Sequence, residues 1–136
     1  MSARAVATPL AALAIGISAS AQVSDQLTPD LAQALAGRVA GKPVNCIIAS
    51  RVSGPDLLDP LNIVYRESRT RLWRNKLDEK CPLLRENDIL VVERFGDQLC
   101  RYDRFQIVNR NSGFASGYCI LGAFTPYDMP KAPPKR

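Results

Sequence analysis

Four cysteines, Cys46, Cys81, Cys100 and Cys119, constrain this chain more than any other feature. They are scattered between positions 46 and 119 of a 136-residue sequence, and no Cys-x-x-Cys step joins any two. Thioredoxin-like redox chemistry and knuckle-type zinc sites both lack their short chelating step. A phosphate-transfer thiol needs an anion-binding arginine six residues on; from Cys46, Cys81, Cys100 and Cys119 that position is Val52, Asn87, Gln106 and Thr125. The remaining use of an even cysteine set is pairing, which requires an oxidising compartment.

The N-terminus supplies that compartment. Arg4 precedes an apolar stretch from Ala5 to Ile17, and Ala19-Ser20-Ala21 has the small-x-small pattern of a signal-peptidase site. Residues 1–21 therefore read as a signal peptide cleaved after Ala21, and the mature protein as periplasmic or secreted. The apolar run is too short for a membrane-spanning helix, and no later segment of the mature chain is apolar enough to span one.

Composition removes whole reaction classes. The chain contains no histidine, so Ser-His-Asp and Cys-His catalysis and His-liganded zinc are excluded. Carboxylates are numerous, but nothing in their spacing brings two together, and no phosphate-loop or calcium-loop motif occurs. The sequence offers no catalytic, cofactor-binding or metal-binding residues, and the expected class is non-enzymatic. The formal net charge of +5 is ordinary for solubility and mildly favours anionic partners.

The mature chain divides into three parts. Residues 22–43 form an N-terminal segment with a short helix. Thr28 is suited to cap it, Pro29 to its first position and Asp30 to its positive end. Leu31, Ala34, Leu35 and Val39 then recur at helical spacing, and Gly41 and Pro43 end the pattern. Residues 44–127 read as a β domain of about six short strands, with turns about every 8–12 residues. Expected strands are Val44–Val52, a hairpin of Leu61–Ser68 with Arg69–Leu77, then Asp88–Phe95, Gln98–Arg110 and Tyr118–Tyr127. Gly54–Pro60 and Asn111–Gly117 read as loops. Residues 128–136 form a Pro/Lys-rich tail expected to be disordered. The fold class is mainly β: a small antiparallel six-stranded barrel or sandwich with two disulfides. A closed barrel would remove the exposed edges that endanger a small β protein.

Within this fold the cysteines allow three pairings. Cys81 and Cys100 flank the Asp88–Phe95 strand, so a local Cys81–Cys100 bridge would clip that hairpin. Cys46 on the first strand and Cys119 on the last would then close the sheet. The chain-entropy model values these bridges at about 3 and about 4.5 kcal/mol.

The hairpin carries a possible anion-binding patch. Arg66, Arg69, Arg71, Arg74 and Lys76 are interleaved with Tyr65 and Trp73, the mixture of charge and rings that polyanion grooves use. A solvated hairpin with Trp73 in the core explains the same residues. Export makes nucleic acid an unlikely partner and an envelope component a better one.

The segments "NCIIASRV", "NKLDEKCPLL", "QLCRYDRFQIV" and "YCILGAF" together resemble a family of small exported proteobacterial proteins. Its pattern is Cys, then Cys-Pro-x-Leu, then Leu-Cys-x-x-Asp, then a final Cys strand. The resemblance implies a compact β domain with paired cysteines and carries no catalytic residues. The expected function is a non-catalytic binding or structural domain of the envelope. Alternatives are a secreted inhibitor of an envelope or extracellular hydrolase, presenting Gly54–Pro60 and Asn111–Gly117, or a polyanion-binding module using Arg66–Lys76.

Overall fold

The structure, a computed structural model, describes residues 27–134. The signal peptide and its cleavage after Ala21 lie outside the described residues.

Thr28 caps α1 (Pro29–Ala34), its hydroxyl accepting from the Leu31 N–H at 3.4 Å. The helix is shorter than the spacing to Val39 suggests. Gly37, at φ 71°, takes the left-handed conformation that glycine adopts without strain and turns the chain out of the helix. Val39 starts strand β1 (Val39–Ala40) instead.

Ten short strands follow a wholly antiparallel plan. They are β1, β2 (Cys46–Ile48), β3 (Ser53–Asp59), β4 (Asn62–Arg66), β5 (Arg71–Lys76), β6 (Ile89–Val92), β7 (Gln98–Cys100), β8 (Arg104–Val108), β9 (Ala115–Ile120) and β10 (Ala123–Asp128). They form a five-stranded sheet in the order β1-β10-β5-β4-β3, a three-stranded sheet β6-β8-β9 and a two-stranded ribbon β2-β7. The sheets do not close into a barrel: β3 and β6 are both edges. The fold is mainly β as expected, but the six-stranded barrel is not what forms. The β structure runs from Val39 to Asp128, beyond the 44–127 read from sequence, and Asp128 belongs to β10 rather than to a tail.

One expected loop is a strand and two expected strands are interrupted, each for a local reason. Gly54–Asp59 belongs to β3 rather than to a loop. Pro55 is tolerated because β3 is an edge strand and slips register between Ser53 and Asp56. Gln98–Arg110 breaks after Cys100, where Tyr102 sits at φ 75° and the Asp103 carboxylate accepts from the Cys100 N–H at 2.8 Å. Tyr118–Tyr127 breaks at Leu121–Gly122, which sends β9 and β10 into different sheets.

The main core lies between the sheets, where Ile63, Phe105, Leu121 and Phe124 are fully buried; each such side chain contributes about 1.5–3 kcal/mol. The other face of the five-stranded sheet is covered by α1, with Leu31 and Leu35 packed on Val64 and Leu72. β4 is thus buried on both sides, which accounts for its unbroken apolar run Ile63-Val64-Tyr65.

The cysteines pair as Cys46–Cys100 and Cys81–Cys119. All four are bridged, but not as the expected Cys46–Cys119 and Cys81–Cys100. The break at Tyr102 is the reason. It frees β7 from the three-stranded sheet to pair with β2, where Cys46 and Cys100 stand directly opposite with their Cα atoms 4.0 Å apart. Cys119, opposite Phe105 on β9, faces inward and meets Cys81 from the 77–88 connection. The two closed loops interleave rather than nest.

Candidate functional site

The basic hairpin does not assemble into a patch. In the β4–β5 ladder, residues opposite one another share a face, and Arg66, Arg74 and Lys76 fall on the α1 side. Arg74 is buried, 5% exposed, and its Nε donates to the Asn62 side-chain oxygen at 2.7 Å. This corrects its reading as a surface cation: an arginine fixed under Asn62 and Tyr127 cannot meet a polyanion. Arg71 lies on the opposite face. It grips Asp128 with two hydrogen bonds of 2.7 Å and lies 5.5 Å from the Trp73 ring centroid. Arg66, Arg69 and Lys76 are exposed. Arg66 and Lys76 stand at opposite ends of the ladder, roughly 14 Å apart at strand rise. Trp73 donates from Nε1 to Glu67 at 2.8 Å and packs partly against the core.

The residues 109–114 give a different picture. Asn109 organises them: its side-chain oxygen accepts from the N–H groups of Asn111 and Ser112 at 3.1 and 2.9 Å. Its backbone N–H donates to the Phe114 carbonyl at 3.0 Å, and its carbonyl accepts from Gly113 at 2.8 Å. Gly113 adopts φ 72°, the left-handed geometry such a turn needs. From outside, Arg110 Nε donates to the Asn87 carbonyl at 2.9 Å. This closed loop holds Phe114 out from the surface, 80% exposed. At the other end of the three-stranded sheet, Phe95 follows β6 at 94% exposure.

Between these ends the outer face of the β6-β8-β9 sheet is largely apolar. Ile89 and Val91 on β6 and Tyr118 and Ile120 on β9 are all exposed. An ion pair crosses it, Glu93 to Arg104 at 2.7 Å, with the guanidinium 4.8 Å from the Tyr118 ring centroid. The Arg104 hydrogen bond, seconded by one from Tyr118, holds the Glu93 carboxyl below its usual range; the same bond raises Tyr118. Beside it, Arg101 covers the Tyr102 ring at 4.9 Å while pairing with Asp78 at 2.9 Å.

Several carboxylates are committed elsewhere. Asp59 accepts from Thr28 and Asn62, Asp97 from Ser50, Asp103 from the β7 turn and Asp128 from Arg71. Among the described residues no group of three or more His, Cys, Asp or Glu side chains could hold a metal, and no helix is long and apolar enough to cross a membrane.

Sequence reasoning named Asn111–Gly117 as a loop but did not single out the exposed Phe114. The signal was present: Asn109, Ser112 and Gly113, within five residues, make a self-bonding turn, and an aromatic follows it directly. No protein-family model matches the chain, and no match was found among curated proteins or solved structures.

Proposed function

We propose that this chain is an exported, non-catalytic domain that binds a protein, and that the Asn109–Phe114 loop is its anchor. The observation carrying this reading is one exposed aromatic side chain on a loop already fixed by its own hydrogen bonds. Interface energy concentrates in a few aromatic anchors, and a loop ordered before binding loses little entropy on docking. This is the design of a rigid-loop inhibitor of a hydrolase, whose cleft accepts one protruding side chain. The two disulfides support an oxidising compartment. Polyanion binding through Arg66–Lys76 is the weaker reading, because Arg74 is buried and Arg71 is held by Asp128.

The test is a panel of envelope and extracellular hydrolases, including serine proteases and lysozyme-type muramidases, titrated with wild type and Phe114→Ser. A hydrolase bound by wild type should lose about thirtyfold in affinity to the variant, the effect of a 2 kcal/mol anchor. Equal affinity of both proteins for every bound hydrolase overturns the reading.

A further inference from the structure

The 77–88 connection runs beside β9, and between them lies an open groove of about 320 Å3, at the small end of ligand-site volumes. One wall carries Asp78, Glu79 and Lys80, the other Tyr118 and Ile120, and Tyr102 joins them from the turn after β7. The Cys81–Cys119 disulfide ties the two walls together. Two phenol rings are thus presented by fixed backbone. Tyr118 is half exposed; its hydroxyl is hydrogen-bonded to Glu93, and the Arg104 guanidinium lies 4.8 Å from its ring centroid. Tyr102 is anchored by its backbone N–H, which donates to the Leu121 carbonyl at 3.0 Å, and Arg101 lies 4.9 Å from its ring centroid.

Tyr102 sits at φ 75°, in the left-handed region that bulky side chains rarely adopt. Strain of this kind persists only where the surroundings impose it, and it clusters at binding sites. Burial does not offset it here, because the residue is 68% exposed. Glycine or asparagine would serve the turn at lower cost, so the turn alone does not account for an aromatic ring. The polar groups around the rings carry no net charge. Asp78 is held by Arg101 at 2.9 Å, and Glu79 and Lys80 are exposed, adjacent and of opposite sign. Such a groove selects neither an anion nor a cation. It offers flat aromatic faces flanked by hydrogen-bond donors and acceptors. A ligand that matches both has flat C–H faces and a rim of hydroxyls, which is the chemistry of an uncharged pyranose.

We propose that the groove binds an uncharged saccharide: the C–H faces of its pyranose rings lie against Tyr102 and Tyr118, and its hydroxyls hydrogen-bond with Glu79 and Lys80. The rings set the flat faces, the side chains of the 77–88 connection set the polar rim, and the balance of charge sets the neutrality of the ligand. Both rings are held before the ligand arrives, which lowers the ordering cost of binding. The groove shares no residue with the Asn109–Phe114 loop and stands independently of the protein-binding reading.

The experiment is an NMR titration of the isotope-labelled, oxidised full chain with chitotriose, cellotriose and maltotriose, and with chitosantriose as the cationic control. At least one neutral trisaccharide should bind saturably, with Kd below about 10 mM. It should shift the amides of residues 79–80, 102 and 118–120 and leave residues 110–114 in place. A preference for chitotriose identifies an N-acetylated, wall-type glycan as the source, and a preference for the other two a glucose polymer. The affinity should not change between about 0.05 and 0.5 M salt, because the ligand is uncharged. Tyr102→Gly should weaken binding about tenfold, the worth of one good ring contact. The same variant should melt no lower than wild type, because glycine takes the left-handed turn freely; a ring that only holds the fold would lower the melting temperature. Tyr118→Ala should weaken the same sugar by a similar factor. Absence of saturable binding by every neutral trisaccharide, equal binding by wild type and Tyr102→Gly, or tighter binding of chitosantriose than of chitotriose overturns the proposal.

Discussion

The Asn75 side-chain amide embraces the Gly122 peptide: its oxygen accepts from the Gly122 N–H at 2.9 Å, and its nitrogen donates to the Gly122 carbonyl at 2.7 Å. Asn75 is wholly buried on the core side of β5. Gly122 is the point where the chain leaves the three-stranded sheet at β9 and enters the five-stranded sheet at β10. One buried amide therefore substitutes for the ladder hydrogen bonds that the chain gives up in crossing between sheets.

Both partners of that embrace are predicted to be intolerant of change. Asn75→Ala leaves a buried N–H and a buried C=O unpaired, and the loss should be about 3 kcal/mol. Gly122→Ala places a Cβ onto the Lys76 carbonyl oxygen, backbone that cannot swing aside, and should cost at least as much. Urea unfolding of the oxidised proteins measures both. A loss below about 1 kcal/mol for either would remove the crossing point from the features that hold the fold.

Much of this was readable beforehand, and the failures share a cause. The Leu61–Leu77 hairpin and the Thr28-Pro29-Asp30 helix start were legible because each rests on neighbours in sequence. The cysteine pairing was not. It depends on Tyr102 taking a positive φ and on β7 leaving its sequence neighbour β6 for β2, and no periodicity records which strand a strand will pair with. Arg74 likewise reads as a surface cation on an alternating strand; only the docking of α1 over that face buries it.

The interleaved disulfides can be tested without disturbing the protein. Non-reducing peptide mapping should recover Cys46–Cys100 and Cys81–Cys119. Each bridge spans a long loop, with sequence separations of 54 and 38, and is worth about 4 kcal/mol in the chain-entropy model. The paired serine variants at 46 and 100, or at 81 and 119, should each lose most of the stability of a domain this size. Recovery of Cys46–Cys119 would show that β7 does not pair with β2.

Acid should weaken the fold in a narrow range. Arg104 lowers Glu93, Ser50 lowers Asp97 and Arg71 lowers Asp128, each first through a hydrogen bond. All three carboxyls bind protons more weakly folded than unfolded. Their stabilisation is complete above the ordinary carboxylate range, from about pH 5 upward, and is lost as pH falls through about 4 and below. With no histidine in the chain, the urea midpoint should be flat between about pH 6 and 8. The effect is modest because these groups are exposed, and it should shrink in high salt. A variant carrying Glu93→Gln, Asp97→Asn and Asp128→Asn should show a shallower acid slope; an unchanged slope would assign acid sensitivity to other groups.

The helix is tied to the sheet through Asp59 as well as through its two leucines. Asp59 accepts from the Thr28 hydroxyl at 2.9 Å, the Leu61 N–H at 2.8 Å and the Asn62 amide at 2.8 and 2.9 Å, and Asn62 in turn accepts from Arg74. The capping residue of α1, the β3–β4 turn and the buried arginine are thus parts of one network. Removing its centre strands several partly buried donors at once, so Asp59→Ala should cost about 2–3 kcal/mol. The loss should also be local. Leu31 and Leu35 cover Val64 and Leu72, and the Thr28–Asp59 hydrogen bond fixes the start of the same helix. Amide exchange of residues 31–35 should therefore accelerate by more than the fall in global stability accounts for, while residues 104–108 follow the global change alone. Uniform acceleration of both segments would mean that the helix is held by its apolar contacts, with Asp59 acting only on the β3–β4 turn.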